Sequence, residues 1–292
     1  MNLLNDILYP CVRVKTKDAG GSGTVLCCRS AETKNQDELA TYVLTCHHVI
    51  EGAIEVKEDW NPLLGRNAKR EFRSTVTVEF FKYRHGGRTS RTESVDADIL
   101  AWNKKQDLAV LRLRMEDRPP AVAKWFPKDL TFKISLFDRV LAVGAALGHP
   151  PIVTEGIITG MSDEIDDLSY WMSNAQIIFG NSGGAVFHAN ERGHEFIGVP
   201  SRVAVYGWTV ACSHMGYFSD IERIYKWLDE ECFQFLYDPS CTIKQCETNR
   251  EAKRDKELEL HKLRGVEPED KKRIEAPCND VQIDQENEDN VG

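Results

Sequence analysis

Along the first 215 residues, apolar and polar positions alternate in short runs broken by glycine or by polar turns. The stretches "CVRVKT" (11–16), "GTVLCC" (23–28), "YVLTC" (42–46), "TVTVEFFKY" (75–83), "LAVLRLR" (108–114), "RVLAVGAA" (139–146), "IVTEGIITG" (152–160) and "RVAVYGWTVAC" (202–212) have the length and β-branched content of strands. Many short strands at this spacing predict a barrel or sandwich, and no internal repeat of fixed period is present. Between two groups of strands lies "RMEDRPPAVAKWFPKDLTF" (114–132), whose Pro119, Pro120 and Pro127 remove backbone donors and predict a linker rather than a central strand. From Ser219 the period changes. Ile221, Ile224, Trp227 and Leu228 share one helical face, and Ser219 followed by Glu222 predicts a capping box at the helix start. From Ile243 to Gly292 nearly half of the residues are charged and aromatics are absent. Such a segment buries too little apolar surface to offset its ordering entropy, so 243–292 is expected to be a disordered charged tail, with "EAKRDKELELHKLRG" (251–265) a candidate solvated helix inside it.

Composition narrows the picture without changing it. The chain has 292 residues, 41% hydrophobic and 28% charged, enough for a sizeable core. No apolar run is long enough for a membrane-spanning helix, and the first twenty residues lack the basic and apolar regions of a secretory signal. Nine cysteines without regular spacing, and no signal, suggest a reducing compartment and a cytoplasmic location. "CTIKQC" (241–246) could be half of a zinc site, but no second pair follows, so no metal is expected. The net charge of −9 argues against nonspecific binding to nucleic acid.

Candidate chemistry begins at "FGNSGGAVF" (179–187). Gly180, Gly183 and Gly184 allow positive φ and close backbone approach around Ser182, which fits either an ordinary turn or a nucleophile on a tight loop whose N–H groups face an oxyanion. A serine hydroxyl needs a base, usually histidine, and "YVLTCHHVIEG" offers His47 and His48 at the end of an apolar run. The imidazole in turn needs an orienting carboxylate, and "KKQDLAVLRL" places Asp107 at the mouth of another strand. Each fragment alone has a structural explanation: a strand-end histidine, a strand-terminating charge, a glycine-flanked turn. Together, in the order His, Asp, Ser and each at a strand edge, they are not accounted for by these separate explanations.

Four blocks, "GSGTVL" (21–26), "VLTCHHV" (43–49), "DLAVLRL" (107–113) and "GNSGGAVF" (180–187), resemble the trypsin-like (chymotrypsin-fold) serine peptidases, especially their HtrA/Deg-type branch. "AVGAALGHPPIVTEGIITG" (142–160) is a weaker fifth block. The likeness spans about residues 8–230, and no PDZ module accompanies it.

The resemblance implies an all-β fold of two six-stranded antiparallel barrels: 8–115 with His48 and Asp107, a linker at 116–135, and 136–218 with Ser182. A C-terminal helix at 219–237 and the 243–292 tail would follow. Aligning the family's Thr-x-x-His on Thr45 selects His48 as the base, with Asp107 as the orienting group and Ser182 as the nucleophile. The N–H groups of Gly180 and Ser182 would form the oxyanion hole, with Asn181 holding the loop. Gln176 stands where trypsin-type enzymes carry an aspartate, disfavouring a basic side chain. Pro200 and Ser201, in "GVPSRV" (198–203), would narrow the pocket towards small or medium uncharged side chains. The long His48-to-Asp107 interval leaves "DWNPLLGRNAKREFRSTVTVEFFKYRHGGRTSR" (59–91) as a hairpin reaching the cleft or a decorated edge. The implied function is a serine endopeptidase without cofactor, acting on polypeptides rather than nucleic acid or membrane, its tail available to a protein partner. A catalytically silent binding or scaffold module, an esterase, and a protease that processes only itself are the alternatives.

Overall fold

A computed structural model describes residues 3–32, 38–61, 66–84, 87–207 and 210–264; the side chains of 59–61, 66–70 and 257–264 are not among them. Fourteen strands are present in this set. The first barrel contains β1 (Cys11–Lys15), β2 (Gly20–Ser30), β3 (Leu39–Thr45), β6 (Val76–Tyr83), β7 (Thr89–Asn103) and β8 (Leu108–Leu113), closed in the order β1-β2-β3-β8-β7-β6. The second contains β9 (Arg139–Gly144), β10 (Ile152–Ile165), β11 (Leu168–Ser173), β12 (Ala185–Asn190), β13 (Gly193–Tyr206) and β14 (Val210–Asp220), closed in the order β10-β11-β14-β13-β12-β9. Closure leaves neither six-stranded sheet with a free edge. β4 (Ile54–Asn61) and β5 (Arg66–Arg73) form a separate two-stranded hairpin, so the long interval contains an added hairpin.

Burial follows the patterning. On β6, Val76, Val78 and Phe80 point inward, and the buried Glu79 is held by Arg13 and Lys15. β8 is apolar at nearly every position because it lies between β3 and β7 and is covered on both faces. The proline-containing linker is pinned to both barrels. Ala123 N–H donates to Val25 O and Trp125 Nε1–H to Leu26 O on β2, while Trp125 pairs with Phe196 of β13. The barrels are thereby held face to face, which fixes the crevice between them.

Two expectations are corrected at the C-terminal end. Helix α2 (Ile221–Glu230) buries Ile221, Ile224, Trp227 and Leu228 as the periodicity predicts, but its N-cap is Asp220, which accepts from Arg223 N–H at 3.0 Å. Ser219 remains the penultimate residue of β14 and is paired with Val199, so it is unavailable as the cap. The 243–292 segment is not disordered from its start, because α3 spans Ile243–Arg264. Its first turn buries Ile243 and Cys246, and the Glu32 carboxylate accepts from the N–H groups of Ile243 and Lys244, each at 3.0 Å. A carboxylate at a helix N-terminus satisfies orphan donors and favours the dipole. Segment-average charge could not show a cap supplied from more than two hundred residues upstream. The remainder of the expected tail, 265–292, lies outside the described residues.

Candidate active site

The site assembles where β3 ends. After Thr45 the chain turns into the short helix α1 (His47–Ile50), so the two histidines leave the strand in different directions. His47 is buried and its ring packs on Trp102, centroids 4.9 Å apart. Burial holds its pKa below the ordinary imidazole value. His48 is 45% exposed, and its Nδ1 lies 2.8 Å and 3.0 Å from the two carboxylate oxygens of Asp107. Nε2 is therefore the ring nitrogen left free. The His48 main-chain N–H donates to the same carboxylate at 3.0 Å, fixing backbone and ring together.

Asp107 closes the turn before β8 with φ of +52°, a left-handed conformation that aspartate tolerates better than most residues. Burial alone would push its carboxyl up. Hydrogen bonds from His48 and Ser201, with the His48 charge, outweigh that and hold it below its ordinary value. Ser201 Oγ–H donates to Asp107 Oδ2 at 2.6 Å from a buried position on β13. Asp98, another carboxylate in the neighbourhood by sequence, instead pairs with Arg114.

Ser182 sits on the loop between β11 and β12, facing the first barrel. Its carbonyl accepts from Ser22 N–H of β2 at 2.8 Å. Gly183 packs against Cys46, immediately before the histidines: a Cβ there would lie 2.2 Å from Ser22 O, 2.3 Å from Thr45 Oγ1 and 3.0 Å from Cys46 N. With φ of +84° as well, position 183 accepts no side chain. Gly183 N–H donates to Pro200 O at 2.9 Å, so the serine loop, Pro200, Ser201, Asp107 and His48 form one connected network. Asn181 is buried, with its Oδ1 accepting from Ile178 N–H at 3.2 Å. The N–H groups of Gly180 and Ser182 have no acceptor among the described residues, and the Ser182 hydroxyl makes no hydrogen bond there.

Cys46 Sγ, a His48 ring nitrogen and an Asp107 oxygen lie within 4.8 Å of one another, a spacing that could hold a metal ion. Each is already engaged, however. Cys46 donates to Pro200 O at 3.3 Å, and burial, together with the Asp107 charge, pushes its thiol well above the ordinary range, disfavouring the thiolate a metal needs.

The sequence model of the trypsin-like peptidase domain matches residues 21–199, well over half of the chain. The chain belongs to the trypsin-like peptidase family. Among curated proteins, this peptidase domain is 25% identical over 136 residues to "Protease Do-like 1, chloroplastic" of Arabidopsis thaliana, covering 44% of the chain but only 29% of that relative. Among solved structures, it superposes on the HtrA-type protease AlgW with tripeptide (TM-score 0.52, 20% identity, 80% of this chain and 62% of that one) and on a variant of AlgW (TM-score 0.53, same identity and coverage). It thus spans less than a third of the plant relative and under two thirds of the superposed structures.

Within the domain, Ser201 and Pro200 make their contacts with the Asp107 network: Ser201 through its hydroxyl, Pro200 through its carbonyl. Gln176 is exposed, and its carbonyl accepts from Thr154 Oγ1 at 2.8 Å. Sequence reasoning passed over Ser22, Thr45 as a donor to Ser22 O at 2.7 Å, and the Cys46 thiol. The signal for Ser22 was its place between Gly21 and Gly23 in a strand, where small neighbours mark close approach of another backbone.

Proposed function

We propose that this peptidase domain is a serine endopeptidase in which Ser182 attacks the peptide carbonyl, His48 is the general base and then general acid, and Asp107 orients and stabilises the imidazolium. The observation that carries this reading is the two-oxygen contact of His48 Nδ1 with Asp107, made by a ring that is otherwise open to the crevice. Nδ1–H held on a carboxylate selects the tautomer in which Nε2 can accept the Ser182 proton. The proton then passes from Nε2 to the leaving amine, and a water repeats both transfers to release the acyl group. The N–H groups of Gly180 and Ser182, without an acceptor among the described residues, support a role in stabilising the tetrahedral oxyanion, a contribution of about 2.7–4 kcal/mol per donor. Gln176, neutral where a charge would select basic side chains, supports cleavage after uncharged residues.

The Ser182 hydroxyl, without a hydrogen bond among the described residues, also fits a non-catalytic binding module; before substrate arrives, nucleophile and base in active peptidases are likewise often further apart than a hydrogen bond. Incubation with an unfolded polypeptide separates the two readings. Internal cleavage by the wild type and none by Ser182→Ala is expected. No cleavage by either, or equal cleavage by both, removes the endopeptidase reading.

A further inference from the structure

Ser22 has no exposed surface, yet all of its polar groups are engaged at the junction between the barrels. Its N–H donates to Ser182 O at 2.8 Å and its carbonyl accepts from Thr45 Oγ1 at 2.7 Å. The hydroxyl donates to Gly180 O at 2.6 Å and accepts from Ala145 N–H at 2.7 Å. One side chain of the first barrel therefore grips two segments of the second.

The consequence lies in the peptide planes of the serine loop. In a trans peptide, N–H and C=O point in opposite directions. Phe179 O accepts from Leu147 N–H at 2.8 Å, which turns Gly180 N–H away from the 145–148 turn. Asn181 O accepts from Gly184 N–H at 2.9 Å, which turns Ser182 N–H outward likewise. Between these two lies the Gly180–Asn181 peptide, its N–H on Ile178 O at 3.0 Å and its C=O on the Ser22 hydroxyl. Glycine at 180, with φ of +93°, gives this middle peptide a low local barrier to rotation. Rotation would withdraw that carbonyl from the Ser22 hydroxyl and disturb the two flanking peptide planes, and with them the N–H groups of Gly180 and Ser182. The same hydroxyl also holds the turn that supplies Leu147 N–H, through Ala145.

We infer that Ser22 is a positioning residue: its hydroxyl pins the Gly180–Asn181 peptide and the 145–148 turn, keeping the N–H groups of Gly180 and Ser182 aimed at one point. Its kinetic consequence rests on the endopeptidase reading; its conformational consequence rests on the hydrogen bonds alone.

The test combines turnover of a polypeptide with amide hydrogen exchange, in wild type, Ser22→Ala and the hydroxyl-retaining Ser22→Thr. Ser22→Ala is expected to lower kcat by about 10-fold or more, bounded by the roughly 10²–10³-fold loss of a whole oxyanion donor, with KM changed less than about threefold. Exchange at Ala145, Leu147 and Gly184 accelerates while that of β8 does not, and Ser22→Thr restores both readouts. Should Ser22→Ala fail to fold, Ser22→Cys supplies a weaker donor in its place. Unchanged kcat with unchanged loop exchange overturns the inference, as does acceleration spread evenly through both barrels. A wild type without turnover, combined with locally faster exchange in Ser22→Ala, instead removes the endopeptidase reading and leaves the pinning in place.

Discussion

Asp107 receives the main-chain N–H and ring of His48 and the hydroxyl of Ser201, and these donors keep a buried carboxyl ionised. Asp107→Asn removes the anion while nearly preserving shape, so the fold should persist by circular dichroism while kcat falls by about 10⁴-fold. Near-normal turnover would show that the carboxylate is not the orienting group. The adjacent histidines divide by environment. His47 is buried against Trp102 with a lowered pKa, so the unfolded chain binds its proton more readily than the folded one. Its stabilising effect is complete above the ordinary imidazole value of 6.5 and declines as pH falls through that value towards the lowered one. His47→Phe retains the ring packing; it should keep turnover and flatten this part of the stability profile in denaturant titrations between pH 7 and pH 5. Choosing between the two histidines by sequence required a family pattern, because "TCHH" alone gives both the same neighbours. The different exits from β3 appear only when the short helix forms.

Among the elements, the β12–β13 hairpin depends on a buried charge. Glu195 of β13 is fully buried, 2.7 Å from Arg192 Nη2, 2.9 Å from Lys124 Nζ and 3.0 Å from Asn190 Nδ2. Desolvation opposes its ionisation, but these donors bring its pKa down from 4.5 to about 2. A depressed carboxyl stabilises the fold above its unfolded value and loses that effect as pH falls through the folded one. Stability measured by urea denaturation should therefore drop between pH 4.5 and pH 2, and Glu195→Gln should be less stable at pH 7 with a shallower drop. An identical acid profile in the variant would contradict this. Strands rich in Val, Ile and Leu were readable because their period is strong. β7 was harder: its first half is exposed and polar, and only Ala97 and Ile99 are buried in its second half. The helix start slipped by one residue because Ser219 and Asp220 are both good caps, and pairing with β13 decides which is free.

Across the whole molecule, two closed barrels meet along Ser22, Gly183 and Pro200, and the linker contacts the first barrel through Ala123 and Trp125 and the second through the pairing of Trp125 with Phe196 of β13. The two-barrel architecture was legible because four motif blocks fall at strand edges in a fixed order. Contacts between segments far apart in the chain were not, and Glu32 capping α3 is one of them. Ending the chain at Thr242 uncovers the surface beneath Ile243 and Cys246, and burial of one such side chain is worth about 1.5–3 kcal/mol. The thermal midpoint should fall by several degrees, at about 2–4 °C per kcal/mol; an unchanged midpoint would show that α3 does not pack on the body. The proposed endopeptidase requires that His48 and Asp107 make Ser182 nucleophilic beside the N–H groups of Gly180 and Ser182. Treating the protein with a fluorophosphonate and mapping the adduct by mass spectrometry reads out that nucleophile at the serine itself. One adduct on Ser182 is predicted, strongly reduced in Asp107→Asn and absent in Ser182→Ala. A wild type that stays unlabelled, or label that persists in Ser182→Ala, would contradict it.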